Sequence, residues 1–311
     1  MSAAPDEQGS CTSSREPHTG VSVIAIRKAL PSDFAEVYSS LLVQFRNPYL
    51  KRDDYAGLFR RQWASAEDWH GFVLVDGDSI VGFLGLIFAK RLIRGREYHF
   101  ANLTHWFVRE SYRQHSLRLI MEAVKLDGYV LTTLTPTPPV APLYVRLRWQ
   151  EIDHRNNIIV PLPYLRIPGL SRRLRLVFSP GDIEKRLTGE EARIFREHRP
   201  YKCRHLFIDG GEDGGCYVVY TRVWRKRLPF VQVHYVGNAA LFRKAVGQLR
   251  WRLCIREKVA GLLVDARFLR GSRIFPPIYH YEPRFFRPPK GCDLARQDLD
   301  ALYSEYIVTN V

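Results

Sequence analysis

The sequence contains no run of about 18 apolar residues, the length needed to cross a membrane as a helix. Residues 1–20 also lack a hydrophobic segment, so we do not expect a secretory signal there. Their serine, proline, glutamate and glycine content instead predicts a disordered tail. These two absences favour a soluble protein of the cytoplasm.

Cysteine is scarce and follows no pattern. The five cysteines are Cys11, Cys203, Cys216, Cys254 and Cys292. Their odd number and wide separation argue against both a disulfide framework and a zinc site. We therefore expect reduced thiols in the cytoplasm and no bound metal.

The motifs of several enzyme classes are missing as well. The chain has no G-x-S-x-G elbow, no G-x-x-x-x-G-K-[ST] loop and no H-E-x-x-H pair. The glycine-rich stretch 210–215 leads from one predicted strand into another rather than into a helix, so it predicts a hairpin. The sequence thus argues against serine-hydrolase, P-loop and zinc-protease chemistry.

Positive charge is in clear excess. The 311 residues are 46% hydrophobic and 25% charged, as in an ordinary globular protein, but the formal net charge is +15. Such a charge suits an anionic cofactor, an acidic substrate, a membrane surface or nucleic acid. The arginines are spread over both halves, as a GC-rich genome would also produce, so charge alone selects none of these partners.

The most informative stretch is residues 101–137. It predicts a strand over 101–108, a polar break at 109–114, a helix, and a second strand over 129–135. The apolar face of the helix is predicted to consist of Leu117, Ile120, Met121 and Val124. A unit of this length predicts a right-handed crossover between parallel strands.

The start of that helix has the character of an anion site. The turn 112–116 places backbone N–H groups and the positive end of a helix dipole next to Arg113 and Arg118. Such a turn suits a phosphate or pyrophosphate group. The alternative is that the two arginines only solvate an exposed helix start.

This segment resembles the acetyl-coenzyme A core of the GNAT acyltransferase superfamily, whose fourth strand ends in V-x-x-x-x-R-x-x-G-x-G/A. Val108 and Arg113 have the spacing of that pattern, whereas Ser116 and Arg118 replace its glycines. Glycine there lets the backbone approach the pyrophosphate closely. The resemblance implies acetyl-CoA or another acyl-CoA as co-substrate, held by Phe107, Val108, Arg113, Gln114, His115, Ser116, Leu117 and Arg118. The replaced glycines leave open a site that has lost its ligand.

The rest of the first half has the same order of elements as the superfamily. The sequence predicts a strand over 21–27, helices after Pro31 and over 54–63, and a hairpin over 70–89. A short helix over 140–149 follows, and strands between 152 and 161 turn at Asn156-Asn157. The resemblance therefore implies an α/β fold with a mixed sheet, of the α+β kind.

Two residues are predicted to carry the chemistry. Leu143-Tyr144 matches a Leu-Tyr pair of the superfamily, which implies that Tyr144 protonates the departing thiolate; a buried core tyrosine is the alternative. Candidates for the general base are Glu97, His99 and His105, and His105 lies on the central strand. Strand alternation would place His105 on one face with Leu103 and Phe107.

The second half repeats the pattern. After a linker at 163–180, the sequence predicts a helix over 182–199, strands over 203–209, 217–224 and 230–236, a long helix over 239–258 and a strand over 261–266. The remainder is predicted to be irregular, with a final helix over 294–306. We therefore predict two GNAT-like units in tandem, at 21–162 and 181–311, with the second unit degenerate because it lacks an arginine-rich turn.

The sequence predicts an acyltransferase that moves an acetyl or other acyl group from acyl-CoA to an amine of an acceptor. One alternative is a binding module without catalysis, which the residues at 116 and 118 would explain. The other is a tRNA-dependent aminoacyl or peptidyl transferase, in which the basic charge would serve RNA. Nucleic acid is not the favoured partner.

Overall fold

Two seven-stranded sheets organise the chain. The computed structural model describes residues 24–45, 50–60, 63, 66–152, 155–163, 174–272, 276–299 and 305–309. The predicted tail at 1–20 and residues 164–173 of the predicted linker lie outside these ranges. The strands are β1 (Ile24–Lys28), β2 (Gly71–Asp76), β3 (Ser79–Ile93), β4 (Arg96–Val108), β5 (Tyr129–Thr133), β6 (Gln150–Ile152), β7 (Arg155–Ile159), β8 (Arg175–Val177), β9 (Arg204–Asp209), β10 (Gly215–Arg225), β11 (Leu228–Val236), β12 (Gly261–Asp265), β13 (Ile278–Tyr281) and β14 (Arg284–Arg287).

The helices pack on both sheets. They are α1 (Phe34–Ser40), α2 (Arg52–Ala56), α3 (Ser116–Val124), α4 (Ala141–Arg146), α5 (Pro180–Glu184), α6 (Gly189–His198), α7 (Ala239–Glu257) and α8 (Glu305–Thr309). Single 3-10 turns join several of them, notably Leu42–Phe45 before α2 and Glu110–His115 before α3. The mixed α/β architecture predicted from the sequence is confirmed.

The first sheet has the order β1-β2-β3-β4-β5-β14-β6. Its strands β4 and β5 are parallel, paired from His99 with Tyr129 to Asn102 with Thr132, and α3 is the crossover between them. All other neighbours in this sheet are antiparallel. The predicted strand–helix–strand crossover is therefore confirmed.

The core of the first sheet lies on both of its faces because β3 is apolar along nearly its whole length. Buried side chains from Ile80 to Ala89 alternate between two clusters. One cluster contains Val37 and Leu58 from the α1–α2 side, and the other contains Ile120 from α3 and Tyr144 from α4. The two helical layers enclose the strands that form the candidate site.

The buried face of α3 differs from the predicted one. Leu119, Ile120 and Ala123 are buried, whereas Leu117 and Met121 are exposed by 42% and 41%. The helix carries apolar side chains on two adjacent stripes. The sequence pattern therefore predicts a helix but does not show which stripe faces the sheet. Contacts with β2 and β3 select the second stripe.

The second sheet has the order β13-β7-β12-β11-β10-β9-β8. Strands β11 and β12 are parallel, paired from Phe230 with Gly261 to Val233 with Val264, with the long helix α7 between them. Hairpin, strand, helix and strand thus recur in the predicted order. Two sheets of this kind fit a tandem arrangement.

Each sheet contains one strand from the other half of the chain. Strand β7 pairs with β12 and β13 in the second sheet, and β14 pairs with β5 and β6 in the first. The prediction that residues 152–161 close the first unit was therefore wrong, and Asn156 and Asn157 lie inside β7 rather than in a turn. The predicted boundaries at 162 and 181 therefore do not separate the two sheets, because β7 lies before them and belongs to the second sheet, and β14 lies after them and belongs to the first.

The last described helix connects the two halves. In α8, Ile307 packs into the core of the second sheet and Val308 into that of the first, while Glu305 accepts hydrogen bonds from Arg91. The predicted final helix at 294–306 was wrong at its start, because Leu294 and Ala295 are not helical and Arg296–Leu299 form a 3-10 turn, while residues 300–304 lie outside the described ranges. Buried side chains from α8 hold both units together.

Two predicted helices differ from the observed ones. Of the predicted helix at 54–63, the described residues form the end of the short α2 and a 3-10 turn at Gly57–Phe59, and residues 61–62 lie outside the described ranges. Residues 182–199 form α5 and α6, separated before Gly189, whose φ of 55° breaks a helix. Part of the predicted linker is the strand β8.

Three further observations bear on the character of the protein. No helix in the described part of the chain is long and apolar enough to cross a membrane. The four cysteines within the described ranges are free thiols, and Cys216 and Cys254 are buried. Among the same residues, no cluster of His, Cys, Asp and Glu is arranged to hold a metal ion.

Candidate active site

The candidate site lies where two parallel strands separate. The last paired residues of β4 and β5 are Asn102 and Thr132, whose side chains are joined by a 3.1 Å hydrogen bond. Beyond this pair β4 continues to Val108 along β3, whereas β5 ends at Thr133. Among the strands of the described residues, none pairs with β4 on the β5 side beyond Asn102, which leaves a gap between the two strands.

A bulge in β4 lies beside this gap. Phe83 pairs with Phe107 and Gly85 with Thr104, so His105 and Trp106 together oppose the single residue Leu84. His105 has a φ of 47°, the left-handed conformation that such a bulge requires. The bulge overturns the predicted alternation, because Trp106 now packs on the same face as Leu103 while Phe107 packs on the opposite one.

The His105 ring is enclosed by aromatic side chains. Its centroid lies 5.3 Å from that of Phe45 and 5.6 Å from that of Tyr55, and its Nδ1 is 2.8 Å from Thr104 Oγ1. Burial away from water lowers the pKa of His105 to about 4. The imidazole is therefore neutral at pH 7.

A cavity of about 90 Å³ fills the gap. Its walls include Thr104 and His105 from β4, Thr133 from the end of β5, and Tyr144 from α4. The two residues predicted from the sequence to be catalytic, His105 and Tyr144, are thus brought to one cavity although 39 positions separate them in the chain.

Tyr144 is held firmly in this cavity. Its ring is stacked on Phe285 of β14 with centroids 5.7 Å apart, and meets Trp149 edge-on at 4.9 Å. Burial raises the pKa of Tyr144 to about 12, and a hydrogen bond with Thr133 offsets part of that rise. The phenol stays protonated at neutral pH and can donate its proton.

The predicted phosphate turn has a different local structure from the expected one. Residues Glu110–His115 form 3-10 turns that run directly into α3, and the Ser116 N–H donates to the Arg113 carbonyl. Tyr112 anchors the turn through a 2.6 Å hydrogen bond to Asp76. The Ser116 N–H is therefore already used, whereas the sequence predicted free backbone N–H groups at this turn.

The predicted cofactor-binding residues fall into two groups. Phe107 and Val108 lie at the end of β4, with Val108 buried. The others lie at the start of α3, where His115 and Ser116 are partly buried and the exposed members are Arg113, Gln114, Leu117 and Arg118. Arg113 is 71% exposed and lies 3.7 Å from Glu110. The structure brings all eight to the same end of β4.

A second, larger cavity adjoins the first and was not predicted. It measures about 350 Å³ and shares Thr135 and Pro136 with the smaller cavity. Its far wall comes from the other half of the chain, with Arg225 at the end of β10 and the segment 280–283 before β14. No sequence motif marks these residues, because only the strand exchange carries them to the site.

The equivalent gap in the second sheet is closed by side chains. There, a bulge leaves His234 unpaired in β11, and Asp265 ends β12. Arg284 forms an ion pair with Asp265 and donates a 3.0 Å hydrogen bond to Tyr306, whose ring lies 5.9 Å from His234. These groups occupy the place that a ligand would need.

Comparison with known proteins supports the fold. No protein-family model matches the sequence, and no curated protein is significantly similar to it. One similar solved structure is a GCN5-related N-acetyltransferase from Anabaena variabilis, with 13% sequence identity and a TM-score of 0.56; the match covers 86% of this chain and 73% of that one. Another is a GCN5-related N-acetyltransferase from Kribbella flavida, with 14% identity and a TM-score of 0.54; the match covers 86% of this chain and 71% of that one. A glucosamine N-acetyltransferase region of a fungal multi-domain β-N-acetylglucosaminidase is also similar (14%, 0.54), with 86% of this chain and 38% of that chain covered. At these identities the likeness establishes a GNAT-like fold.

Proposed function

We propose that the protein is an acyltransferase that moves an acetyl or other acyl group from acyl-CoA to an amine. The observation that carries the proposal is the cavity between the diverging ends of β4 and β5, with Tyr144 in its lining. A thioester in this gap would lie beside the backbone of β4 beyond Asn102 and a protonated phenol. The general function follows the GNAT-like fold, and the amine acceptor is our own inference.

The residues around the cavity fit the thioester end of acyl-CoA. Acyl-CoA supplies the activated carbonyl and the sulfur leaving group. Tyr144 donates a proton to the sulfur as charge develops there, since its raised pKa keeps it protonated. His105 contributes a neutral imidazole to the same wall. Pro136 and the aromatic rings packed around Tyr144 give this cavity apolar walls.

The phosphate end of acyl-CoA would lie at the start of α3. Arg113 and Arg118 supply positive charge there, in addition to the helix dipole. Because both side chains are exposed, each contributes only a solvent-screened attraction.

We predict that calorimetric titration with acetyl-CoA gives micromolar binding, which Arg113→Ala weakens about fivefold and Arg118→Ala about threefold, as expected for exposed phosphate contacts. The matched control is Arg199→Ala. Arg199 is 63% exposed and lies 3.7 Å from Glu184, much as Arg113 lies from Glu110, but it belongs to the second half. Equal weakening by Arg199→Ala would mean that net charge, and not the turn, attracts the ligand.

A binding module without catalysis is the second candidate, because the Ser116 N–H is occupied and the glycines of the motif are replaced. A wild-type protein that shows neither heat nor thermal stabilisation at saturating acetyl-CoA would favour this candidate. If tRNA binding with steep salt dependence were found instead, the tRNA-dependent transferase would be favoured.

We place the protein in the cytoplasm, where acyl-CoA is available and its thiols remain reduced.

A further inference from the structure

The larger cavity lies where an acceptor would have to approach. Strand β14 pairs with β5, with Phe285 opposite Thr133, so the segment 280–283 before β14 passes the carboxyl end of β5. Thr135 and Pro136 form a wall common to both cavities. A molecule in the larger cavity would therefore reach the thioester position from the side opposite the α3 turn.

This cavity contains a histidine paired with a carboxylate. His280 Nε2 lies 3.4 Å from Glu282 Oε1, and the His280 side chain is 47% exposed. Glu282 also accepts hydrogen bonds from Arg225 at 3.2 Å and Asn156 at 3.1 Å, and lies 3.7 Å from Arg284. Burial alone would raise the pKa of Glu282, but the hydrogen bond from His280 and the charges of Arg225 and Arg284 lower it to about 2, so its carboxylate is charged.

We propose that this cavity receives the acceptor amine and that His280, held by Glu282, takes the proton from the amine. The proposal rests on the acyltransferase function proposed above. With its Nε2 hydrogen directed at Glu282, His280 keeps the Nδ1 lone pair for the acceptor. His105 is the weaker choice, because it lines the smaller cavity, whereas His280 lines the larger cavity that we assign to the acceptor.

The reaction can be written with these groups alone. One proton of the ammonium group moves to His280 Nδ1, and the freed nitrogen lone pair forms the C–N bond at the thioester carbonyl. The C–S bond breaks with its electron pair on sulfur, which takes the proton of the Tyr144 hydroxyl. The phenolate regains a proton from the new amide nitrogen, and His280 releases its proton to water.

The walls of the cavity indicate the chemical class of the acceptor. Leu134, Pro136, Pro138 and Pro283 give apolar walls, and Tyr281 adds an aromatic ring. The charged groups are confined to one end, where they are paired with one another. Such a cavity suits a primary amine on an apolar or aromatic body better than an amino sugar.

We predict that the wild-type protein transfers acetyl from acetyl-CoA to tyramine, phenethylamine or hexylamine faster than to glucosamine. In His280→Ala, kcat/KM for the amine should fall about 100-fold, the lower end of what a general base contributes, while acetyl-CoA binding is unchanged. Added imidazole should restore much of this loss, because it can occupy the space of the missing ring. Release of the coenzyme A thiol measures the rate.

His99→Ala is the matched control. His99 is 41% exposed and lies 3.6 Å from Glu97, a pair like that of His280 and Glu282. It was a candidate base from the sequence, but it lines neither of the two cavities, so the structure does not support that role. Equal losses in the two variants, a nearly active His280→Ala, or a loss that imidazole does not relieve would overturn the role of His280. A wild type that binds acetyl-CoA yet acetylates none of the three apolar amines would overturn the acceptor assignment. Failure to bind acetyl-CoA at all would instead contradict the proposed function.

Discussion

Replacing Tyr144 by phenylalanine is expected to lower kcat about 10²- to 10³-fold without loss of acetyl-CoA binding, since general acid catalysis contributes on this scale. Tyr144 lines the small cavity, and burial raises the pKa of its hydroxyl to about 12. The hydroxyl is thus a proton donor throughout the neutral range. Without it, the sulfur must leave as a thiolate with no proton from this side chain.

The substitution should leave the fold intact. The Tyr144 ring packs against Trp149 and Phe285, and phenylalanine preserves both contacts. Only the hydrogen bond with Thr133 is lost, which costs about 1 kcal/mol. Circular dichroism and a melting curve close to those of the wild type would show that the loss of rate is chemical.

Tyr129→Phe provides the control for this prediction. Tyr129 begins the same strand that Thr133 ends, and its hydroxyl donates to the carboxylate of Glu67. It does not line the cavity. We expect thiol release by Tyr129→Phe to stay near the wild-type rate. A Tyr144→Phe variant as active as this control would exclude Tyr144 as the proton donor.

The crossover around this site was predictable because its determinants are local. Apolar periodicity, the break at 109–114 and the Asp127-Gly128 stop all lie within forty residues of one another. The position of Tyr144 followed from the Leu143-Tyr144 match. The inward face of α3 did not follow, because Leu117 and Leu119 are equally apolar and only the sheet distinguishes them.

The bulge could not be read from the sequence. His105 adopts a positive φ although nothing in the residues around it requires a left-handed conformation. Its cause is the register between β3 and β4, in which one residue of β3 faces two of β4. Register depends on pairing across the sheet, so strict alternation gave the wrong face for Trp106.

The exchange of strands between the two sheets could not be predicted from the sequence pattern either, because it also depends on pairing between distant segments. Strand β14 has an aromatic composition typical of strands, whereas the two asparagines of β7 favour a turn, and nothing in either segment specifies a partner in the other half. The deciding contacts are long-range: Arg284 of β14 reaches Asp265 of the second sheet while its own strand lies in the first. As a result, the acceptor cavity combines residues from both halves, which a division at residue 162 would have separated.

Arg284 is the residue through which the two halves depend most on each other. It is 1% exposed, forms an ion pair with Asp265, and donates a 3.0 Å hydrogen bond to the Tyr306 hydroxyl. Tyr306 in turn donates a 2.6 Å hydrogen bond to the Leu134 carbonyl at the end of β5. The contacts of Arg284 and Tyr306 therefore connect β12, β14 and α8 with Leu134, which lines the larger cavity.

We predict that Arg284→Met lowers the free energy of unfolding by about 3–5 kcal/mol, the usual cost of removing one partner from a buried ion pair. Asp265 would keep its charge in a buried position, with Arg267 at 3.4 Å as a cationic neighbour. The double variant Arg284→Met/Asp265→Asn should recover part of the loss, because it also removes the stranded charge. Urea unfolding followed by circular dichroism measures all three free energies.

Arg287→Met is the control on the same strand, because Arg287 is only partly buried and pairs through its backbone with Leu131. We expect it to change the free energy of unfolding by no more than about 0.5 kcal/mol. In the wild type, both sheets should unfold in a single transition, since each contains a strand of the other half. Two separate transitions, or an Arg284→Met variant as stable as Arg287→Met, would mean that the buried network does not couple the halves.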